Sequence, residues 1–372
     1  MLKLIFNTFS LQKNSLRRPT FKRVAVIIVV LPLLLLHIGW THLFLFLDIL
    51  FFPKFHLKST EKAVFIVGVP RSGTSFLLNL MANDKANFTS FKLWELVFAP
   101  SIIQKKFWLG MAWVLDKIGF PFLQVLSFID KLFFKKLKGI HDLGLQTFEE
   151  DELVYLYLFQ SAYLMFIFPE LEDIHRLLYP DNSDNLDKRV KQQQFYKSLI
   201  KRHLYVFNQN EDKYFLSKNP IHAIRLESLT TVFPEAKYLL LQRPLEKTIP
   251  STISLNKHLY SLFCTLPIEN PLRQKTIKML IEWHQFIQNF DAKNDWQRLE
   301  IDFNNMVKSP FSEAEKIHHW LRLSLTDDYK NYLRKQVKLS ESYKSQHHYK
   351  RLTKAEISLL EGRIVLFSKI KR

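Results

Sequence analysis

Cysteine is almost absent from this chain of 372 residues, which contains only Cys264. An intrachain disulfide and a multi-cysteine metal site are therefore excluded. The apolar neighbours Leu262 and Phe263 predict a packed thiol rather than a nucleophile. A single cysteine also favours a reducing compartment over an oxidising one.

Signatures of nucleic-acid binding are also missing. The chain has no zinc-ligand spacing, no aromatic RNA-binding signature and no helix-turn-helix pattern. Its charge is nevertheless basic, because 53 Lys and Arg residues outnumber 35 Asp and Glu residues, for a net charge of +18. This excess favours nucleotides, acidic lipid head groups or sulfated and phosphorylated acceptors as partners. We expect no nucleic acid among those partners.

Charged residues are absent between residues 24 and 47, where the sequence is strongly apolar. The run is long enough to cross a bilayer. Basic residues precede it, and the positive-inside tendency keeps the N-terminus cytoplasmic. These residues are Lys13, Arg17, Arg18, Lys22 and Arg23. We therefore predict a basic segment over residues 1–23, a membrane segment over 24–52 and a catalytic domain over 60–372.

The topology of the membrane segment has two interpretations. Five residues interrupt the apolar run: Pro32, His37, Gly39, Thr41 and His42. Such interruptions suit a bent or re-entrant hairpin in one leaflet, which would return the chain to the cytoplasm. A single straight crossing would instead place the catalytic domain on the lumenal or external side, as in type II enzymes. The cytoplasmic placement is the favoured one.

A second stretch with membrane character covers residues 103–138. It mixes Trp, Phe and Leu with Lys at roughly helical spacing. Basic amphipathic helices of this kind lie at bilayer interfaces, although helices that pack on a catalytic domain have the same pattern. We predict an amphipathic helical insertion here and leave both interpretations open.

The loop GVPRSGTS, residues 68–75, has the outline of a phosphate-binding loop but lacks its lysine. A nucleotide triphosphatase carries Lys where this chain has Thr74. The loop follows the apolar run 63–67 and precedes a predicted helix, an order that aims backbone N–H groups at an anion. Arg71 supplies a cation within the loop. The pattern indicates binding of a short anion without a metal ion.

A second anion motif lies in LLLQRPLEKTIPS, residues 239–251. Residues 238–241 are apolar and predict a buried strand. Arg243 follows the carboxyl end of that strand, which is the edge where parallel sheets bind ligands. A helix that starts after Pro244 would bring Ser251 back toward an anion held by Arg243.

Together the two motifs resemble those of sulfotransferases that use 3′-phosphoadenosine 5′-phosphosulfate (PAPS). GVPRSGTSFL looks like the family's 5′-phosphosulfate loop, and QRPLEKTIPS looks like its 3′-phosphate motif. The resemblance is to the broad sulfotransferase family, which is related to tyrosylprotein sulfotransferases, and it covers roughly residues 60–355.

The resemblance implies a sulfuryl transferase with PAPS as donor and a hydroxyl or amine acceptor, such as a lipid or glycan. The strand-then-helix order around both motifs predicts a P-loop-like, three-layer α/β/α sandwich with a mainly parallel sheet. Arg243 and Ser251 would bind the 3′-phosphate, and we expect no metal ion. The implied contacts to the 5′-phosphosulfate come from Arg71, Ser72, Gly73, Thr74, Ser75 and Phe76.

The resemblance also nominates catalytic residues. Lys218 would stabilise the bridging oxygen. Asn219 and Pro220 follow it and suit the cap and the first turn of a helix. The lysine would therefore lie at a fixed corner rather than in a flexible loop. Glu95 or His141 is the predicted base, and another group remains open. The acidic run 149–152 is interpreted as a helix start, or as a group that orients Lys218 or binds the acceptor.

Two other classes of protein fit parts of the pattern. One is a nucleotide kinase or triphosphatase with a degenerate loop. The other is a membrane protein that binds PAPS or its product, 3′-phosphoadenosine 5′-phosphate (PAP), without turnover. Retention of Arg71, Lys218, Arg243 and Ser251 together favours an active enzyme.

Overall fold

The computed structural model describes residues 7–12, 15–121, 144–182, 184–210, 212–265, 272–290, 295–342 and 352–358, with residues 125, 130 and 360. Its strands are β1 (Ala63–Val67), β2 (Phe88–Thr89), β3 (Tyr214–Lys218), β4 (Lys237–Gln242) and β5 (Arg298–Asp302). Over the described part of the chain they form one parallel sheet in the order β2–β3–β1–β4–β5.

The helices surround this sheet. They are α1 (Phe21–Phe51), α2 (Thr74–Ala82), α3 (Leu93–Phe98), α4 (Ile102–Lys117), α5 (Leu164–Ile167), α6 (Glu172–His175), α7 (Leu186–Phe207), α8 (Leu226–Val232), α9 (Leu245–Phe263), α10 (Arg273–Gln288), α11 (Phe303–Lys308), α12 (Pro310–Leu321) and α13 (Asp327–Ser342). Short 3₁₀ helices cover Pro53–Leu57, Asp151–Leu158, Arg176–Leu178, Pro220–Ile224 and Asp295–Gln297.

The central strand β1 separates two hydrophobic cores. All five of its residues are buried, and alternate side chains point to opposite faces of the sheet. Phe65 belongs to the core that includes residues of α7, α9 and α10. Ile66 belongs to the core that includes residues of α2 and α12. The predicted three-layer α/β/α sandwich with a parallel sheet is therefore confirmed.

The sheet order determines which loops meet. Strand β1 lies between β3 and β4, with Ile66 opposite Lys218 and Val67 opposite Leu240. All three strands are parallel, so their carboxyl ends share one edge. Lys218 ends β3, and Arg243 directly follows β4. The loop after β1 thus emerges between these two basic residues.

The predicted hairpin in the membrane segment is wrong, because α1 is one continuous helix of 31 residues. Thr20 caps it by accepting a hydrogen bond from the Arg23 backbone N–H, and Pro32 lies inside it. The two histidines among the residues that suggested a break have partners instead. His37 contacts the Tyr157 hydroxyl, and His42 contacts the Tyr157 carbonyl at 2.9 Å.

The amphipathic prediction for residues 103–138 corresponds in part to α4. Ser101 caps this helix by accepting a hydrogen bond from the Gln104 backbone, and the Gln104 side chain accepts one from the Ser101 backbone. Phe107 and Trp113 are exposed on its surface. Most of the remainder of the predicted insertion lies outside the described residues.

Candidate active site

The loop from Gly68 to Gly73 makes the sharp turn that its sequence predicts. The Ser72 N–H donates to the Val69 carbonyl at 3.1 Å. Arg71 and Gly73 both have positive φ, 67° and 102°. At Gly73 a Cβ atom would also lie 2.6 Å from the Phe303 ring, so this position requires glycine. The turn leads into α2, whose N-terminal N–H groups are available to an anion.

Ser72 has an unsatisfied polar group within the loop. Its side chain is fully buried, and its hydroxyl has no hydrogen-bond partner. A buried polar group without a partner costs about 1–3 kcal/mol, and a phosphate oxygen bound in the loop would remove that cost. The loop therefore fits the phosphosulfate predicted for it.

The other loop residues differ in exposure. Thr74 is buried at the start of α2, whereas Ser75 and Phe76 are partly buried. Phe76 packs against the hydrophobic core that contains Ile66. Packing in the fold is therefore sufficient to explain an aromatic residue at this position.

The second anion motif joins the first directly. The Arg71 Nε donates to the Ser251 hydroxyl at 2.9 Å, and Arg243 donates to the Arg71 carbonyl at 2.7 Å. The Thr252 hydroxyl donates to the Pro70 carbonyl at 3.2 Å. The two motifs are thus in contact although some 170 to 180 residues separate them. Their roles in binding remain predictions.

An aromatic ring positions Arg243. The Arg243 guanidinium carbon lies 3.8 Å from the centroid of the Phe303 ring, and a cation held over an aromatic face at this distance is stabilised. The same ring limits the space at Gly73. The family resemblance marked this position only as one where an aromatic hydroxyl is common, and Phe303 has the ring without the hydroxyl.

Lys218 is paired with the acidic run that precedes it in the sequence. Its side chain is only 1% exposed, and that of Glu150 is 16% exposed. The second Glu150 oxygen accepts a hydrogen bond from the Tyr163 hydroxyl. Residues 217–219 each donate to one carboxylate of the run: Lys218 to Glu150 at 2.8 Å, Ser217 to Asp151 at 2.6 Å and Asn219 to Glu152 at 2.8 Å.

The acidic run is therefore more than a helix start. Asp151 begins the 3₁₀ helix Asp151–Leu158, as the helix-start interpretation expects, but its carboxylate also accepts from Tyr196. Burial raises the pKa of Asp151 to about 7, against the lowering effect of its hydrogen bonds from Ser217 and Tyr196. The run fixes the end of β3 and so the position of Lys218.

Glu152 is the structural centre of this run. It is fully buried and accepts hydrogen bonds from Arg225 at 2.5 and 3.2 Å and from the Ala162 backbone at 2.6 Å. We expect Glu152→Gln to lower the free energy of unfolding by about 3 kcal/mol, because it leaves a buried Arg225 without its principal counter-charge. Urea unfolding of the detergent-purified protein measures this loss.

The matched control for that variant is Glu282→Gln. Glu282 forms a surface pair with Lys278 at 3.8 Å, and exposed pairs contribute only about 0–1 kcal/mol. A loss below about 1 kcal/mol for Glu152→Gln, equal to the control, would show that the buried pair does not stabilise the fold.

Glu95, one of the two predicted bases, is buried and paired with basic residues. Its side chain is 3% exposed and lies 2.7 Å from the His203 Nδ1 and 4.0 Å from the Lys105 Nζ. It also accepts the Lys92 N–H in a capping box. Burial alone would raise the pKa of Glu95, but His203 and Lys105 outweigh burial and lower it. These contacts assign the carboxylate to the interior of the fold.

His141, the other predicted base, lies outside the described residues. Sequence reasoning gave no specific role to Glu150, which the fold places on Lys218. The signal that would have found it is the acidic run itself, which was noted as a group that orients the lysine. Within the described residues no group of three potential metal ligands occurs, and the expectation of no metal remains a prediction.

A parallel sheet with a phosphate-type loop after its central strand defines a P-loop-like α/β protein. A family model described as "Sulfotransferase family" matches residues 63–328. Because this match covers well over half of the chain, the protein belongs to the sulfotransferase family.

Two curated relatives support this membership. Omega-hydroxy-beta-dihydromenaquinone-9 sulfotransferase Stf3 of Mycobacterium bovis is 24% identical over 291 residues, which cover 77% of this chain and 70% of Stf3. The Stf3 of Mycobacterium tuberculosis gives the same figures.

Two crystal structures share the fold. The sulfotransferase STF9 from Mycobacterium avium has a TM-score of 0.68 and 16% identity, and the alignment covers 90% of this chain and 83% of STF9. STF1 from Mycobacterium tuberculosis H37Rv has a TM-score of 0.62 and 17% identity, with 86% and 80% covered.

Proposed function

We propose that this sulfotransferase moves a sulfuryl group from PAPS to a hydroxyl or amine acceptor. The observation that carries the proposal is the direct contact of Arg71 with Ser251 and Arg243. The contact brings together the loop proposed for the 5′ anion and the motif proposed for the 3′ anion, as binding of one nucleotide by both would require. The unpartnered Ser72 hydroxyl supports the same conclusion, since it suits a bound phosphate oxygen.

PAPS supplies an SO₃ unit on a phosphate leaving group, so transfer requires charge stabilisation on the bridging oxygen and removal of the acceptor proton. Lys218 suits the first task, because it ends the strand beside the phosphate loop. The backbone of residues 71–75 and the N-terminus of α2 would hold the 5′-phosphate. Arg243 and Ser251 would hold the 3′-phosphate and orient the nucleotide.

For the base, we propose Glu150 in preference to the earlier candidates. Its carboxylate is 2.8 Å from the Lys218 Nζ, so a group drawn to Lys218 also approaches Glu150. Glu150 retains partial exposure, whereas Glu95 is buried and held by His203 and Lys105. A general base needs access to the acceptor hydroxyl. His141 remains a sequence-based candidate.

The acceptor proposed here is a lipid with a terminal hydroxyl group. Stf3 is named for an omega-hydroxy menaquinone derivative, which is an apolar molecule of that kind. In this chain, α1 is the one helix in the described regions that is long and apolar enough to span a membrane. These features support an enzyme attached to the membrane. The positive-inside tendency places the N-terminus in the cytoplasm, and the catalytic domain shares that side if α1 does not cross. A glycan acceptor remains the alternative.

The first test is calorimetric titration of the detergent-purified protein with PAP, with and without magnesium, and with ATP as comparator. We expect PAP binding that does not require magnesium and that weakens at least tenfold in Arg243→Ala, because a charged phosphate contact is lost. Arg176→Ala is the matched control, since Arg176 is an exposed arginine in a surface pair with Glu172.

Two results of the titration would overturn the proposal. Magnesium-dependent ATP binding without PAP binding would indicate that the loop is that of a nucleotide kinase. PAP binding without transfer of label from [³⁵S]PAPS to a long-chain primary alcohol or an acceptor glycan would favour a protein that binds the nucleotide without turnover.

A further inference from the structure

Buried charged residues tie both ends of α1 to the catalytic domain. Near the start of the helix, Arg23 is fully buried and donates to the carbonyls of Thr8 and Ile167 at 2.9 and 3.1 Å. Near its end, Asp48 is fully buried and accepts from Arg202 at 2.9 Å. The two charged residues are 25 positions apart, which is about 38 Å along a helix.

The segment between these two anchors also packs against the domain. Ile27 and Leu31 share a core cluster with Leu164 and Phe168. Farther along, His42 contacts the Tyr157 carbonyl at 2.9 Å. Asp48 additionally accepts from the backbone N–H groups at the start of α4, at 2.8 and 3.1 Å. The domain therefore follows one face of α1 from end to end.

This arrangement is incompatible with a helix that crosses a bilayer away from its domain. The hydrocarbon core is about 30 Å thick, so the two anchors would lie on opposite sides of it. Residues 157–168 and the Arg202–Asp48 pair would then sit at membrane depth, or both anchors would have to break. Breaking a buried ion pair is strongly destabilising, and charged groups inside a bilayer are costly too.

The opposite face of α1 is apolar and exposed along the same length. Its exposed residues include Val29, Leu33, Leu36, Trp40, Leu43 and Phe46. Phe107 and Trp113 of α4, the helix whose start is held by Asp48 of α1, are also exposed. Basic residues flank it, with Lys22 before the apolar run and Lys54 after it, both exposed. An apolar face flanked by lysines suits contact with the acyl chains and the anionic head groups of a bilayer, and the two buried anchors favour an in-plane position over a crossing one.

We infer that α1 lies in the plane of the membrane, with its exposed face in one leaflet, and that it does not cross. The occupant of this surface is a phospholipid leaflet with anionic head groups, which match the flanking lysines. The residues before α1 and the whole catalytic domain are consequently on the same side. The inference rests on the membrane attachment proposed above and specifies its geometry.

Side-specific labelling tests the topology. Gln12→Cys and Glu61→Cys place a reactive thiol before and after α1, at exposed positions, while native Cys264 is 1% exposed and is protected. With the full chain expressed in bacteria, we expect a membrane-impermeant maleimide to label both variants in inverted vesicles and neither in intact cells. Labelling of the two variants from opposite sides would overturn the in-plane geometry while leaving membrane attachment intact.

Depth measurements give an independent test. A fluorophore is attached to one of three variants, Ile28→Cys, Leu36→Cys or Phe46→Cys. Its quenching by nitroxide lipids is then measured in vesicles of neutral and anionic phospholipid. We expect all three at a similar depth of about 5–10 Å. A crossing helix would place Leu36, its midpoint, about 15 Å deep and the other two near the surfaces.

Two further outcomes would reject the leaflet as occupant. A protein that stays in solution without detergent and does not bind these vesicles would contradict both membrane attachment and this inference. A detergent-free dimer that protects all three positions would show that a second copy covers the face. PAP titration of the same sample separates either result from a failure of the proposed sulfotransferase function.

Discussion

Glu150→Gln should lower kcat for sulfuryl transfer by about 10²–10⁴-fold, the range that a positioned general base contributes. Glutamine keeps one acceptor oxygen, replaces the other with an N–H₂ group and removes the negative charge, so it cannot take a proton and cannot accept both the Lys218 and the Tyr163 hydrogen bonds, which go to different carboxylate oxygens. Initial rates with [³⁵S]PAPS and the identified acceptor measure the effect, and PAP affinity should change by less than about threefold.

The pH profile distinguishes a base from a residue that merely positions Lys218. In the native enzyme the rate should fall at low pH, where protonation of Glu150 blocks proton removal. In Glu150→Gln this dependence should disappear while the low rate remains. If Glu95→Gln abolishes the acid limb and Glu150→Gln preserves it, the base is Glu95 as first predicted from the sequence.

Lys218→Ala should lower kcat by about 10²–10³-fold, the cost of removing one preorganised donor from a developing negative charge. The lysine is almost fully buried at the end of β3, so its position is fixed before the donor binds. PAP keeps the former bridging oxygen as a terminal oxygen of its 5′-phosphate, where the N–H groups of the loop and of the α2 N-terminus share its charge, so the affinity for PAP should change by less than about threefold. Calorimetry and initial rates on the same preparation provide both values.

Lys257→Ala is the control for that variant, because Lys257 is an exposed lysine on α9. Loss of PAP binding in Lys218→Ala would assign the lysine to nucleotide binding rather than to transfer. An unchanged kcat would exclude it from both the charge-stabilising role and any essential contact with Glu150. Thermal unfolding of both variants checks that neither result comes from loss of the fold.

The phosphate loop was predictable because its features are local. Gly68, Gly73 and the apolar strand before them specify a strand, a turn and a helix within about 20 residues. The position of Glu150 was not predictable in the same way. Its partner Lys218 is 68 residues away, and nothing in either segment specifies which of four neighbouring acids would meet it. Sheet register and the short helix at Asp151 make that choice.

The membrane segment was also predictable only in part from the sequence. Composition correctly marked residues 24–47 as exceptionally apolar, since that property requires no partner. The polar residues within it were interpreted as a break, yet His37 and His42 find Tyr157 more than 100 residues away and the helix continues. The hairpin prediction failed because the hydrogen-bond partners of those side chains come from tertiary contacts.

The sequence by itself determined the sulfotransferase-type motifs, the parallel α/β fold and the apolar front segment, because each is encoded in short-range spacing and hydrophobic pattern. Tertiary structure alone decided that Arg71 meets Ser251 and Arg243, that Glu150 pairs with Lys218, and that α1 stays on the domain. These contacts join residues that are far apart in the chain, and only the packing of the sheet and its helices brings such groups within hydrogen-bonding distance.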